Sequence, residues 1–241
     1  MAFSELSKEQ RLRYSRNIML EPMGQAGQLK LLQASVLIVG SGALGSIAAM
    51  YLAASGVGHL TLVDYDTIDI SNLQRQLSFT TNQCGGLKVT NTAHRMLEIN
   101  PEIKVDNIAR MLTADNACDI IAGHDLVIEG SDNPDTKYLV SDTCCRLQIP
   151  CITGGVSQFQ GQMISWNTGH TCYRDLFPEK ADTGGYTPCS LGGIIGPLPG
   201  IIASWQACEA IKIITGVGTP MYDKLLLIDV FRPDANIINL R

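Results

Sequence analysis

Arg75 and Lys88 follow Asp64 in the chain, Arg75 within the run Ser71-Asn72-Leu73-Gln74-Arg75-Gln76. A guanidinium offers a fork of donors and an ammonium a compact point charge, a pairing suited to a polyphosphate. Asn72 and Gln74 add amides to the same stretch. Further on, Glu129-Gly-Ser-Asp132-Asn133 sets an acid where a strand gives way to a helix. A carboxylate there can hold Mg²⁺, which takes oxygen ligands and shares them with substrate phosphates. Asp132 could equally cap the helix starting near Pro134, with Asn133 a rival for that task, and the two roles are compatible. Taken singly, Arg75 and Lys88 would be ordinary solvated residues; behind a nucleotide-binding fold they have work to do.

Residues 36–62 read VLIVGSGALGSIAAMYLAASGVGHLTL, an apolar strand that runs through a glycine-rich turn into a helix and a second strand. Gly40 suits the tight turn, Gly42 lets a phosphate approach the backbone, and Gly45 allows close packing of the helix. The helix start supplies free N–H groups and a partial positive charge. Asp64, closing the second strand, stands where a ribose-hydroxyl partner is expected. The glycines alone do not distinguish NAD from ATP.

The elements around this unit alternate. The pattern predicts an amphipathic helix over 8–19, a lead-in at 29–32, and strands at 35–39, 58–64, 103–108, 125–128 and 149–153. Helices are expected over 43–54, 89–99 and 135–147, with another capped by Thr113 and ending at Gly123. Such alternation implies a Rossmann-like, doubly wound α/β fold with a mainly parallel sheet covered on both faces. After Gly154 the pattern changes to a strand at 161–166, an irregular crossover over 169–188, a helix at 199–215 and a final strand at 224–230. With no repeat or linker, one domain over 1–241 is expected: the N-terminal helix, a nucleotide-binding core at 35–153, and a crossover loop and C-terminal part at 154–241.

The chain has 241 residues, is 45% hydrophobic and carries a net charge of −5, which argues against nonspecific nucleic-acid binding. Apolar runs break before membrane-spanning length and residues 1–16 lack a signal-peptide pattern, so a cytoplasmic protein is expected. Of eight cysteines, Cys144, Cys145, Cys151 and Cys208 fall in apolar patterns and read as small buried hydrophobes, while Cys172 and Cys189 fall in loops.

Arg13-Tyr14-Ser15-Arg16, residues 40–45, Asp64-Tyr65-Asp66, residues 71–76, Lys88, Ser131-Asp132-Asn133 and the QACEAIK run at 206–212 occur together in this order. Over nearly its whole length the chain thereby resembles the ThiF/MoeB/HesA family, prokaryotic relatives of ubiquitin-activating enzymes. The resemblance implies ATP-dependent adenylation of the C-terminal glycine of a small ubiquitin-like sulfur carrier ending in Gly-Gly (ThiS- or MoaD-type), with pyrophosphate released. It implies ATP and Mg²⁺ as cofactors, and thiamine or molybdopterin biosynthesis as the setting. Its nucleotide-binding set maps onto Gly40, Gly42, Ala43, Gly45, Asp64, Asp66, Ser71, Asn72, Gln74, Arg75, Lys88, Asp132 and Asn133. Asp132 would sit by the Mg²⁺ and the reacting phosphate, and Arg16 would reach the γ-phosphate of a neighbour's ATP across a homodimer interface.

The chain departs from the family in two places. The first of the family's two zinc-binding CxxC pairs reads Cys172-Tyr-Arg-Asp175 and the second is absent, so no zinc site is expected. Cys189 matches a cysteine that links covalently to the carrier in some relatives; an unreactive thiol is the alternative. An NAD-dependent oxidoreductase would use the glycine turn and Asp64 equally well but leaves Arg16, Arg75 and Lys88 idle, and His59, His94, His124 and His170 lack a supporting motif. A non-catalytic binding protein would not need intact nucleotide residues. A relative that adenylates a modified tRNA base fits poorly with the low basicity.

Overall fold

The alternation of apolar residues along the first strand divides the interior into two halves. In a computed structural model that describes residues 5–178 and 192–241, Val36 and Ile38 of β1 (Ser35–Val39) face one core. Leu37 and Val39 face the other, as the two-residue period of a strand requires. Strands β2 (His59–Val63), β3 (Lys104–Ile108), β4 (Leu126–Glu129) and β5 (Cys151–Ser157) run parallel to β1. Three further strands, β6 (Gln160–Trp166), β7 (Lys224–Asp229) and β8 (Asp234–Asn239), continue the sheet antiparallel. The order is β3-β2-β1-β4-β5-β6-β7-β8, so the chain reverses direction of growth beside β1 and opens a crevice at the strand ends.

One core packs α4 (Gly45–Ser55), α5 (Lys88–Ile99) and α9 (Pro197–Thr215) on the sheet through Ala48, Leu52, Met96 and Ile202. The opposite core packs α6 (Ala117–Ile121) and α7 (Pro134–Leu147) through Ile121, Val140 and Cys144. Val39 lies level with Val63 and with Glu129. That register brings the loops after β1, β2 and β4 to one height, which is what assembles the site.

Several sequence expectations need correction. The expected helix over 8–19 is two short ones, α1 (Lys8–Arg13) and α2 (Ser15–Ile18), broken at Tyr14. Tyr14 is 1% exposed, takes a 2.8 Å hydrogen bond from Asn100 and lies against Gly56; holding the ring there overrides helical continuity. The lead-in at 29–32 is the end of α3 (Gly24–Gln33). Thr113 is not the N-cap of α6: the helix begins at Ala117 with Asn116 at the N-cap position, and the Asn116 carboxamide turns back to accept the Thr113 N–H at 2.8 Å. The strand at 224–230 is not the last: β8 follows, exposed along its whole length, so no buried face left a period in its sequence. Cys208 is exposed on α9, not buried. No helix among the described residues is long and apolar enough to cross a membrane.

Candidate functional site

The glycine turn is built by contact. Gly40 has φ +87, and a side chain there would meet the backbone of Gly130 and Ser131 at 3.0–3.1 Å. Only a residue tolerant of left-handed backbone fits. Gly45 touches the Gly40 carbonyl so closely that an added Cβ would lie 1.8 Å from it. Gly42 differs, because a Cβ there would meet only the Gln76 amide, at 3.5 Å. The turn thus opens toward a cleft of about 1590 Å³, which Gly42, Ala43 and Leu44 line just ahead of α4, where the positive end of a helix favours an anion.

The cleft is lined by Gly40, Gly42, Ala43, Asp64, Asp66, Arg75, Lys88, Asp132 and Asn133, among others. Gly45 packs behind it. Ser71, Asn72 and Gln74 are not lining residues, because their side chains are engaged elsewhere or turned away. The Ser71 hydroxyl donates to Asp69 at 2.6 Å, and Asn72 accepts the Asp69 N–H at 3.1 Å. Gln74 reaches toward the Ile194 carbonyl at 3.5 Å. The Ser71 carbonyl accepts from Arg75 at 3.0 Å and steadies that guanidinium.

Asp64 is fixed at both oxygens, accepting the Ser41 N–H at 2.7 Å and the Asp66 N–H at 2.9 Å. Asp66 holds the Lys88 ammonium at 2.9 Å, with the lysine side chain only 8% exposed. A buried lysine needs such a partner, since an unpaired ammonium away from water is costly. Burial, then the carboxylates of Asp66, Asp64 and Asp132, push the pKa of the Tyr65 hydroxyl up. Its position therefore reports an acidic rim beside two cations.

Asn133, not Asp132, caps α7 by accepting the Asp135 N–H at 2.9 Å, which leaves Asp132 on the cleft wall. Beneath it lies an ion pair that the sequence reading missed. Lys137 holds Glu129 at 2.6 Å, with side-chain exposures of 7% and 0%. Its ammonium also donates to the carbonyls of Ser131 at 2.7 Å and Gly154 at 2.6 Å. The legible signal was an acid ending the otherwise apolar run Leu126-Val-Ile-Glu129. Gln76 was missed as well: it lines the cleft, is buried, and its Oε1 finds no hydrogen-bond partner among the described residues.

The crossover begins as part of the wall. In α8 (Tyr173–Leu176), Arg174 clasps Asp142 of α7 at 2.9 and 2.6 Å. Tyr173 meets Tyr138 edge-on at 5.3 Å, and both line the cleft with Phe177. Asp175 accepts the Cys172 N–H at 2.8 Å and caps this short helix. Cys189 lies outside the described residues. Arg16 is exposed and does not line the cleft; its neighbour is the Met19 sulfur at 3.8 Å. Leu12, Met19 and Leu20 stand exposed around it at 78%, 71% and 60%.

Comparison with known proteins places these features in context. The model of the ThiF family matches residues 14–241. The protein named adenylyltransferase and sulfurtransferase MOCS3 from Drosophila sechellia is 42% identical over 94% of this chain and 50% of its own length. The Arabidopsis thaliana protein of that name is 38% identical over 98% of this chain and 51% of its own length. The chain spans about half the length of the curated relatives it matches. Among solved structures, E. coli MccB crystallised with ATP superimposes with a TM-score of 0.83 at 25% identity, covering 95% of this chain and 70% of MccB.

Proposed function

The chain belongs to the ThiF family, and on that premise we propose that it is a nucleotidyltransferase that adenylates the C-terminal glycine of a ubiquitin-like, Gly-Gly-ended sulfur carrier of ThiS or MoaD type. The observation that carries the reading is the convergence of Arg75, Lys88, Asp64 and Asp132 on one cleft behind the glycine turn. In the reaction a carboxylate oxygen of the carrier attacks the α-phosphorus of ATP. The bond from that phosphorus to the bridging oxygen of the β-phosphate breaks, and pyrophosphate leaves with the electron pair. A carboxylate is already ionised at neutral pH, so no strong base is required. What the protein must supply is alignment of two anions and stabilisation of charge on the phosphates.

In this reading the open backbone at Gly42 and the start of α4 receive phosphate, and Asp64, held by two amides, faces the ribose. Arg75 and Lys88 stabilise the phosphate charge, Lys88 exchanging part of its attraction to Asp66 for the nucleotide. Gln76 sets its amide nitrogen, a donor, beside Gly42, suited to a phosphate oxygen of the bound nucleotide. The donor set also fits Mg²⁺. Among the described residues no trio of His, Cys, Asp or Glu forms a closed metal site, but Mg²⁺ is commonly held by one or two carboxylates together with substrate phosphates. Asp132 would hold it, and the ion would supply neutralisation of the phosphate oxygens.

Arg16 lies away from the cleft of its own chain within a patch of exposed Leu12, Met19 and Leu20, which supports a homodimer in which it serves the partner's nucleotide. The test is pyrophosphate–ATP exchange with a Gly-Gly-ended carrier. Exchange that depends on the carrier is expected; NAD binding without exchange would overturn the reading in favour of an oxidoreductase.

A further inference from the structure

The Glu129–Lys137 pair is almost wholly buried at the edge of the cleft, where Lys137 reaches the lining, and it is tied to the backbone on either side of Asp132. All three ammonium hydrogens of Lys137 are used, on Glu129 Oε2, the Ser131 carbonyl and the Gly154 carbonyl. The other carboxylate oxygen of Glu129 accepts the Ser131 N–H at 2.9 Å and the Ser131 hydroxyl. Its main-chain carbonyl accepts from Gln206 of α9 at 2.9 Å. Ser131 is therefore held at its N–H, its hydroxyl and its carbonyl by one ion pair, and Asp132 is the next residue. On its far side the same loop presses on the glycine turn, since Gly40 approaches Ser131 N and Gly130 approaches Gly45 N closely enough to exclude a side chain.

We propose that Glu129 and Lys137 are positioning residues that set Asp132 relative to the Gly40 turn, and that they govern turnover rather than nucleotide affinity. The groups that meet ribose and phosphate in the reading above, Asp64, Arg75 and Lys88, are anchored independently through Ser41, Ser71 and Asp66. Loss of the pair should leave that half of the cleft intact. Stability alone does not call for a buried ion pair, because apolar residues of similar volume often serve as well. That makes role and stability separable: replacing both charges leaves no orphan ion, but releases the loop.

The positioning claim rests on the adenylation reading only for its turnover measurement. The Glu129→Leu/Lys137→Met double variant and Lys137→Met are compared with the parent by melting, ATP affinity, carrier-dependent exchange, and amide hydrogen exchange over 130–133. In the folded double variant kcat is expected to fall about 10- to 100-fold while KM for ATP moves less than about threefold, as displacement of an aligned group predicts. Protection of the 130–133 amides should fall at the same time. Unchanged kcat, or a loss carried wholly by ATP affinity, would overturn the assignment. If the parent itself performs no exchange, the adenylation reading fails, and the amide protection decides the positioning claim: unchanged protection overturns it. If the double variant does not fold, Glu129→Gln replaces it, expected to lower kcat several-fold at constant KM; an unchanged kcat there counts against the pair.

Discussion

The Lys88 ammonium lies 2.9 Å from the Asp66 carboxylate, a close ion pair between a nearly buried cation and a half-exposed acid. The pair holds the ammonium in place at the cleft until a phosphate competes for it. Lys88→Met should therefore lower carrier-dependent exchange by about 100-fold, the scale of losing one aligned donor to a developing charge. Asp66→Asn keeps the cation and should cost much less. Equal losses in the two variants, measured as kcat/KM for ATP, would show that the acid itself is needed.

The glycines of the turn should separate by role. Gly45→Ala forces a Cβ to 1.8 Å from the Gly40 carbonyl, a backbone clash that no rotamer relieves. We expect a loss of about 3 kcal/mol or more, at the severe end of single substitutions. Gly42→Ala meets only the end of Gln76 at 3.5 Å and should melt like the parent while raising KM for ATP. Urea unfolding of both, with KM measured on the second, checks the division.

Much of this was legible because turn chemistry and register are local. Gly40, Gly42 and Asp64 sit where the strand–turn–helix pattern put them, since apolar runs and glycines announce a strand, a tight turn and a helix start. What escaped was set by packing across the chain. Tyr14 breaks the first helix because Asn100, far away in sequence, holds its hydroxyl. Glu129 and Lys137 lie eight residues apart but become partners only once α7 folds back over the end of β4. Gln74, named for its place before Arg75, reaches toward Ile194 instead, and it is Gln76 that lines the cleft.

At the opposite end of the strands from the cleft, His124 is expected to make folding pH-dependent. Burial lowers its pKa from the ordinary 6.5, and the nearby His59 acts in the same direction, while the Ile121 carbonyl and the acids Asp125 and Asp106 oppose them. With the folded pKa below the unfolded one, this contribution is complete above about pH 6.5 and is lost as pH falls through the folded value. The melting temperature should drop between about pH 7 and pH 5, and the drop should shrink in His124→Gln, which keeps a hydrogen-bonding group near Thr61. An equal drop in the variant would assign the effect to other groups.

The central claim is adenylate formation on the carrier's terminal carboxylate, with Asp132 essential to it. The most direct measurement is mass spectrometry of a Gly-Gly-ended carrier after incubation with the protein, ATP and Mg²⁺, alongside Asp132→Ala. The account predicts a carrier heavier by one adenylyl group, matched by released pyrophosphate, with neither product in the folded Asp132→Ala variant. Release of ADP and phosphate instead, or an adenylated carrier from Asp132→Ala at the parent's rate, would contradict it.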